Sequence, residues 1–234
     1  MIKIEKVEVY GFEAAIRGMR APKQSWNKSD SGYVASGEHY ENVDYVIGPN
    51  DLDLMKRLVK AGVSHRTFLR LIQVSMDITA PLYYWKEADR YCVGKAQIST
   101  STMHTIHKKE FELDDFSHEH LLTPAKLETV IRWLNDYRKA YITWQDDVMH
   151  QDDYGNPVTK KDIWYQMIQL LPSSYNQKRT VLMSYEVALK MIRERENHKL
   201  DEWRHMASEL KKLPYMEDLT SEVQLHNERT GGSE

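Results

Sequence analysis

Two groups of side chains in this sequence are of the right types and spacing for chemistry. The first is Ser99-Thr100-Ser101-Thr102 with Lys95 close before it. Adjacent hydroxyls donate to phosphate or sugar oxygens, and a nearby ammonium adds charge to the contact. The second is Arg193-Glu194-Arg195-Glu196-Asn197-His198. An arginine fork there suits planar, bidentate recognition of a base or a phosphate. The plainer alternatives are a coil exposing hydroxyls, and a solvated run in which Arg193 and Arg195 pair with Glu194, Glu196 or Asp201. His104, His107 and His118-Glu119-His120 come at spacings that zinc ligands use, but no third and fourth ligand accompanies them at a recognised spacing. No metal site is expected. Cys92 has no neighbouring cue for a depressed pKa, which predicts a buried, unreactive thiol. The chain has no G-x-S-x-G, no phosphate-binding glycine loop and no dinucleotide fingerprint.

Gly62 to Ile106 must supply the scaffold for the hydroxyl group. Ile72, Val74, Met76 and Ile78 alternate with Gln73, Ser75, Asp77 and Thr79, the period of a strand with one core face. Ala80-Pro81 ends it, and Pro81 suits the first position of a helix carrying Tyr83, Tyr84, Trp85 and Ala88. A polar loop through Arg90, Gly94 and Ser99–Thr102 follows.

Elsewhere, residues 2–9 read as a strand and 11–17 as a short helix, while 21–48 read as a long loop. Asn50 or Asp51 is the expected cap of a helix ended by Gly62 in a left-handed conformation. Residues 106–120 read as a connecting loop. The 3–4 spacing of Leu127, Val130, Ile131, Leu134, Tyr137 and Tyr141 predicts a helix from Pro124 to about Trp144. Further helices are expected at 162–171, 185–196 and 199–212, and a strand at 179–183. Residues 1–218 are expected to form a single domain, and 219–234 a polar, disordered tail.

The chain has 234 residues, of which 41% are hydrophobic and 29% charged, the balance of a globular protein. A net charge of −3 argues against a nucleic-acid binder, and a single cysteine fits a reducing compartment. No apolar run nears the roughly 20 residues that span a bilayer, and the first residues lack the apolar core of a signal peptide. No membrane association is expected, and the predicted location is the cytoplasm.

His65-Arg66-Thr67-Phe68, the alternating strand, Ala80-Pro81, and then Arg90 with a Ser/Thr-rich segment resemble the flavin-dependent thymidylate synthases, the ThyX family. That family has a His-x-Thr-x-Phe turn, a strand, Ala-Pro and the signature R-H-R-x-x-S-x-N-E-x-S-x-R-Y. The second half is similar too. Leu171-Pro172, Tyr175, a strand, a helix ending at Arg195 and a helix with Glu202-Trp203 resemble the family's L-P…Y…R…A-Q-W-E-I-R ending. Within the signature, Arg90 is kept, Tyr91 stands for the histidine and Cys92 for the second arginine. Lys95, Gln97, Ile98, Thr100, Thr102 and Met103 stand for Ser, Asn, Glu, Ser, Arg and Tyr. The chain resembles a divergent branch with an altered signature.

The resemblance implies an α/β (α+β) fold with a central mixed sheet flanked by helices, assembled as a homotetramer. It implies reductive methylation of dUMP to dTMP with FAD, NADPH and methylenetetrahydrofolate. His65, Thr67, Arg90, Tyr91, Ser184 and Lys190 would hold the flavin. Lys95, Gln97, Ser99, Thr100, Ser101 and Thr102 would hold the nucleotide, with Arg195 polarising the uracil as the catalytic residue. The alternatives are a related flavin- and folate-dependent pyrimidine modification such as hydroxymethylation, and a non-catalytic nucleotide-binding homologue.

Overall fold

A computed structural model describes residues 2–36 and 42–221. The strands are β1 (Lys3–Tyr10), β2 (Gly32–Ser36), β3 (Asn42–Val46), β4 (Gln73–Pro81), β5 (Lys95–Ser99) and β6 (Asn176–Ser184). The helices are α1 (Phe12–Arg20), α2 (Pro49–Lys60), α3 (Leu82–Ala88), α4 (Thr102–Thr105), α5 (Pro124–Ile142), α6 (Lys160–Leu170), α7 (Tyr185–Arg195) and α8 (Asp201–Lys211). The fold is of the expected mixed class, a sheet ordered β1-β4-β6-β5 flanked by helices, plus an antiparallel β2–β3 ribbon. The chain divides into two compact units, one of residues 1–3, 78–90 and 98–179, the other of residues 4–77, 91–97 and 180 onward. Strand β4 buries Val74, Met76, Ile78 and Ala80 in strict alternation, as its sequence predicts.

In the second of these units, α2 begins one residue before the expected caps. Pro49 takes the first helical position after Gly48. The cap comes instead from Asp30, whose carboxylate accepts from the Asn50 N–H at 2.8 Å and the Asp51 N–H at 3.0 Å. Asp51 cannot cap because its own carboxylate is buried among other donors: Arg20 Nε at 2.5 Å, Ser29 Oγ at 2.7 Å and Ser31 Oγ at 2.6 Å. Gly62 does adopt the left-handed conformation, with φ 107°. Residues 21–48, expected to be a loop, contain the β2–β3 ribbon, with Tyr33 opposite Tyr45. On α8, Trp203, Met206 and Leu210 form one buried stripe. Each such side chain stabilises by about 1.5–3 kcal/mol. The tail expected from 219 lies almost wholly outside the described residues. Its first three residues, 219–221, are helical, and Leu219 and Thr220 are buried.

The other unit has its own core, in which Leu127, Ile131 and Leu134 of α5 meet Met167 of α6, Phe111 and Phe116. Thr159 and Asp162 close a reciprocal capping box at the start of α6. Pro81 is the N-cap of α3. Trp85 on α3 donates from Nε1 to the carbonyls of Ala80 and Gln177, each at 3.0 Å, and Arg179 lies 4.3 Å over its ring. Ser99–Thr102 is not one polar loop. Ser99 ends β5, Thr100 N–H donates to Lys178 O at 2.9 Å, and Ser101 caps α4 by accepting from the His104 N–H. Backbone pairing and capping therefore claim part of the hydroxyl cluster.

Candidate functional site

The turn at residues 62–67 sends successive side chains to two cavities in the same unit. Val63 and Arg66 face one of about 690 Å³, whereas Ser64, His65 and Thr67 face another of about 550 Å³. The smaller has an apolar floor that includes Met19, Leu54, Leu58 and Phe68. It shares Lys23, Ser25, Leu54 and Arg57 with an adjoining polar cleft.

The larger cavity brings together three residues that are scattered in sequence and implied as ligand contacts: Lys95, Ser184 and Lys190. Sheet order explains the meeting. Strand β5 lies beside β6, and the Ser184 N–H donates to Gly94 O at 3.1 Å, so the start of one strand abuts the end of the other. Ser184 is buried and its Oγ caps α7 by accepting from the Val187 N–H at 3.4 Å. Gly94 has φ 75°, and a Cβ there would lie 3.2 Å from Val187 and 3.3 Å from Ser184 Oγ. Only glycine fits that approach without strain.

Arg66, Arg70 and Arg193 add to Lys95 and Lys190 around this cavity, against Glu186 and Glu194. Arg193 and Glu194 belong to the charge run singled out from the sequence; Arg66, Arg70 and Glu186 were not singled out as ligand contacts, because each sits in a local charge pattern typical of a wet surface. Glu186 is already held by Arg66, and Lys190 lies 3.8 Å from Glu194. Basic groups therefore dominate the wall, and an anion with several oxygens suits it.

Arg195 lies beside this wall rather than on a solvated face. It is half-buried; its Nε donates to Tyr91 Oη at 3.0 Å, and its guanidinium sits 4.7 Å over the ring of the buried Trp203. Tyr91 Oη in turn donates to Glu194 at 2.7 Å. Burial is the main cause raising the Tyr91 pKa, with the bond to Glu194 second. Cys92 is exposed, not buried as expected: the chain turns outward right after Tyr91, whose ring takes the interior position. Gln97 is half-buried. Arg90, Ser99, Thr100, Ser101 and Thr102 belong to the other unit, where Arg90, Ser99 and Thr100 are exposed. No cluster of metal-ligating side chains occurs among the described residues, and no helix among them is long and apolar enough to cross a membrane.

No protein-family description and no curated protein sequence matches the chain. Solved structures do. The crystal structure of thymidylate synthase X (ThyX) from Helicobacter pylori with FAD and dUMP superposes with a TM-score of 0.65 at 14% identity, covering 96% of this chain and all (100%) of that one. A structure of flavin dependent thymidylate synthase ThyX from the same organism, complexed with FAD and dUMP, gives 0.64 at 15% identity, over 94% and 99% of the two chains. At that identity the likeness is one of architecture. Over those shares of its length this chain has the fold of those thymidylate synthases.

Proposed function

We propose that this protein is a flavin-dependent enzyme of the ThyX type that converts dUMP to dTMP by reductive methylation, with methylenetetrahydrofolate as carbon donor and NADPH as reductant. The observation that carries this is the convergence of Lys95, Ser184 and Lys190 on one basic cavity, in a fold shared with proteins that bind FAD and dUMP. FAD and dUMP both present phosphates, and the wall offers ammonium and guanidinium donors with the carboxylates largely engaged. The residues present therefore fit both groups.

In this scheme His65, Thr67, Ser184 and Lys190 hold FAD, and Lys95 and Gln97 hold the nucleotide, all six within one unit; Tyr91, expected among the flavin contacts, is buried with its hydroxyl engaged by Arg195 and Glu194. Arg195 directs its fork at the uracil edge and stabilises negative charge as it develops on the ring. Bound FAD and the folate supply electrons and carbon, so the protein needs no nucleophile of its own. His65 and Thr67 face one cavity and Ser184 and Lys190 another, on the two sides of one turn. A flavin reaching all four either crosses that turn or is shared between copies, and the resemblance to the ThyX family favours sharing, in a homotetramer with flavin at subunit interfaces.

The test is the visible spectrum and released flavin of the purified protein, followed by product analysis. We expect bound FAD, bleaching by NADPH, a tetrameric mass in solution, and dTMP from dUMP and the folate. A colourless protein that takes up no added FAD overturns the proposal. Formation of 5-hydroxymethyl-dUMP instead of dTMP overturns the assigned reaction and leaves the cofactor assignment standing.

A further inference from the structure

Tyr91, Glu194, Arg195 and Trp203 form a continuous chain of contacts within one unit. Tyr91 is 7% exposed and Trp203 is fully buried. Tyr91 Oη accepts from Arg195 Nε at 3.0 Å and donates to Glu194 Oε2 at 2.7 Å. The Arg195 guanidinium lies over both rings, 5.7 Å from the centre of Tyr91 and 4.7 Å from that of Trp203. The two aromatic rings are themselves in contact, with centres 5.8 Å apart. Lys190 and Glu194, on the same helix as Arg195, line the basic cavity. A hydroxyl that accepts from one side and donates to the other has a fixed rotor. Its acceptor direction then fixes where a guanidinium can lie. Phenylalanine would pack as well, so packing alone gives no reason for the hydroxyl.

We propose that Tyr91 is the positioning residue of Arg195: its hydroxyl, oriented by Glu194, holds the guanidinium over the Trp203 ring so that the fork meets the pyrimidine edge of a nucleotide. The role rests on the nucleotide-binding reading of the site. Tyr91 does not touch the ligand; it sets the angle of the arginine that does. Aromatic faces give the guanidinium a plane, and the phenol sets its rotation within that plane.

Tyr91→Phe keeps the ring and removes only the hydroxyl. With the purified protein, titrated calorimetrically with dUMP, the dissociation constant should rise about tenfold, the loss of one hydrogen bond's worth of orientation. Arg195→Lys should weaken binding more. The double variant Tyr91→Phe/Arg195→Lys should bind no more weakly than Arg195→Lys alone, because the hydroxyl acts only through the guanidinium. Independently of dUMP, the Arg195 Nε–H should be protected from solvent exchange by NMR in the wild type and exposed in Tyr91→Phe. Glu194→Gln, which keeps the shape, should give an intermediate result in both measurements. Additive losses in the double variant, or equal exchange in wild type and Tyr91→Phe, overturn the positioning role. Wild-type protein that binds no dUMP, while the exchange difference remains, overturns the nucleotide reading and the role with it. Unchanged dUMP affinity in Tyr91→Phe overturns the role alone.

Discussion

Arg66 and Glu186 form a two-pronged ion pair across 120 positions of sequence, with Nε 3.1 and 3.0 Å from the two carboxylate oxygens and Nη2 2.9 Å from Oε1. The pair ties the turn after α2 to the first turn of α7, where a carboxylate also complements the helix dipole. Both side chains are largely buried, and both line the basic cavity.

Glu186→Ala should therefore move stability and anion affinity in opposite directions. Leaving the Arg66 charge buried without its partner should cost about 3 kcal/mol. The released guanidinium should at the same time strengthen binding of inorganic phosphate. Urea denaturation and a phosphate titration measure the two effects. Weaker phosphate binding in the variant would show that the anion site lies elsewhere.

Lys95→Ala and Lys190→Ala should each weaken dUMP or FAD binding by about 1.5 kcal/mol, as for one lost charge-assisted hydrogen bond. Each should also flatten the dependence of affinity on salt, since fewer ions are displaced from the cavity. Calorimetry at two ionic strengths decides this, and salt-independent binding in the wild type would contradict it.

Arg195→Lys keeps the charge and loses the planar fork. Turnover of dUMP should fall about 100-fold, on the scale of losing one donor to a developing negative charge. The melting temperature should change little, since the ammonium can remain over Trp203. An active lysine variant would remove Arg195 from the proposed chemistry.

Asp51 predicts the acid behaviour of the second unit. Burial alone would raise its pKa, but bonds from Ser31, Ser29, Arg20 and the Asp30 N–H outweigh it and hold the carboxyl below its ordinary value of 3.8. A depressed folded-state pKa gives stability that is present above the unfolded value and lost as pH falls through the folded one. Stability should thus decline below about pH 4. Asp51→Asn should lose about 3 kcal/mol at neutral pH and show a shallower acid decline. Denaturation curves at pH 7 and pH 3 for both proteins check the sign.

Elements with one face in a core were legible because burial leaves a period in the sequence. Strand β4 alternates, and α5, α7 and α8 carry their apolar stripes at helical spacing. The β2–β3 ribbon was not legible. Tyr33, Val34, Val43 and Val46 are all exposed, so no buried face imposes alternation on either strand. The first three residues of β6 were missed for a similar reason, since Asn176, Gln177 and Lys178 are polar and only half-buried.

The sequence by itself determined the mixed helix–strand composition, the turn at Gly62, the strand ending in Ala80-Pro81 and the resemblance of its order of motifs to one fold. Those features depend on neighbours along the chain. What only the tertiary structure decided was which distant charges share a wall. Lys95, Ser184 and Lys190 meet because β5 lies beside β6. Arg195 leaves the solvated charge run around it because the hydroxyl of Tyr91, 104 positions away, and the face of Trp203 hold it. Strand order and burial set such contacts, and neither is written in local spacing.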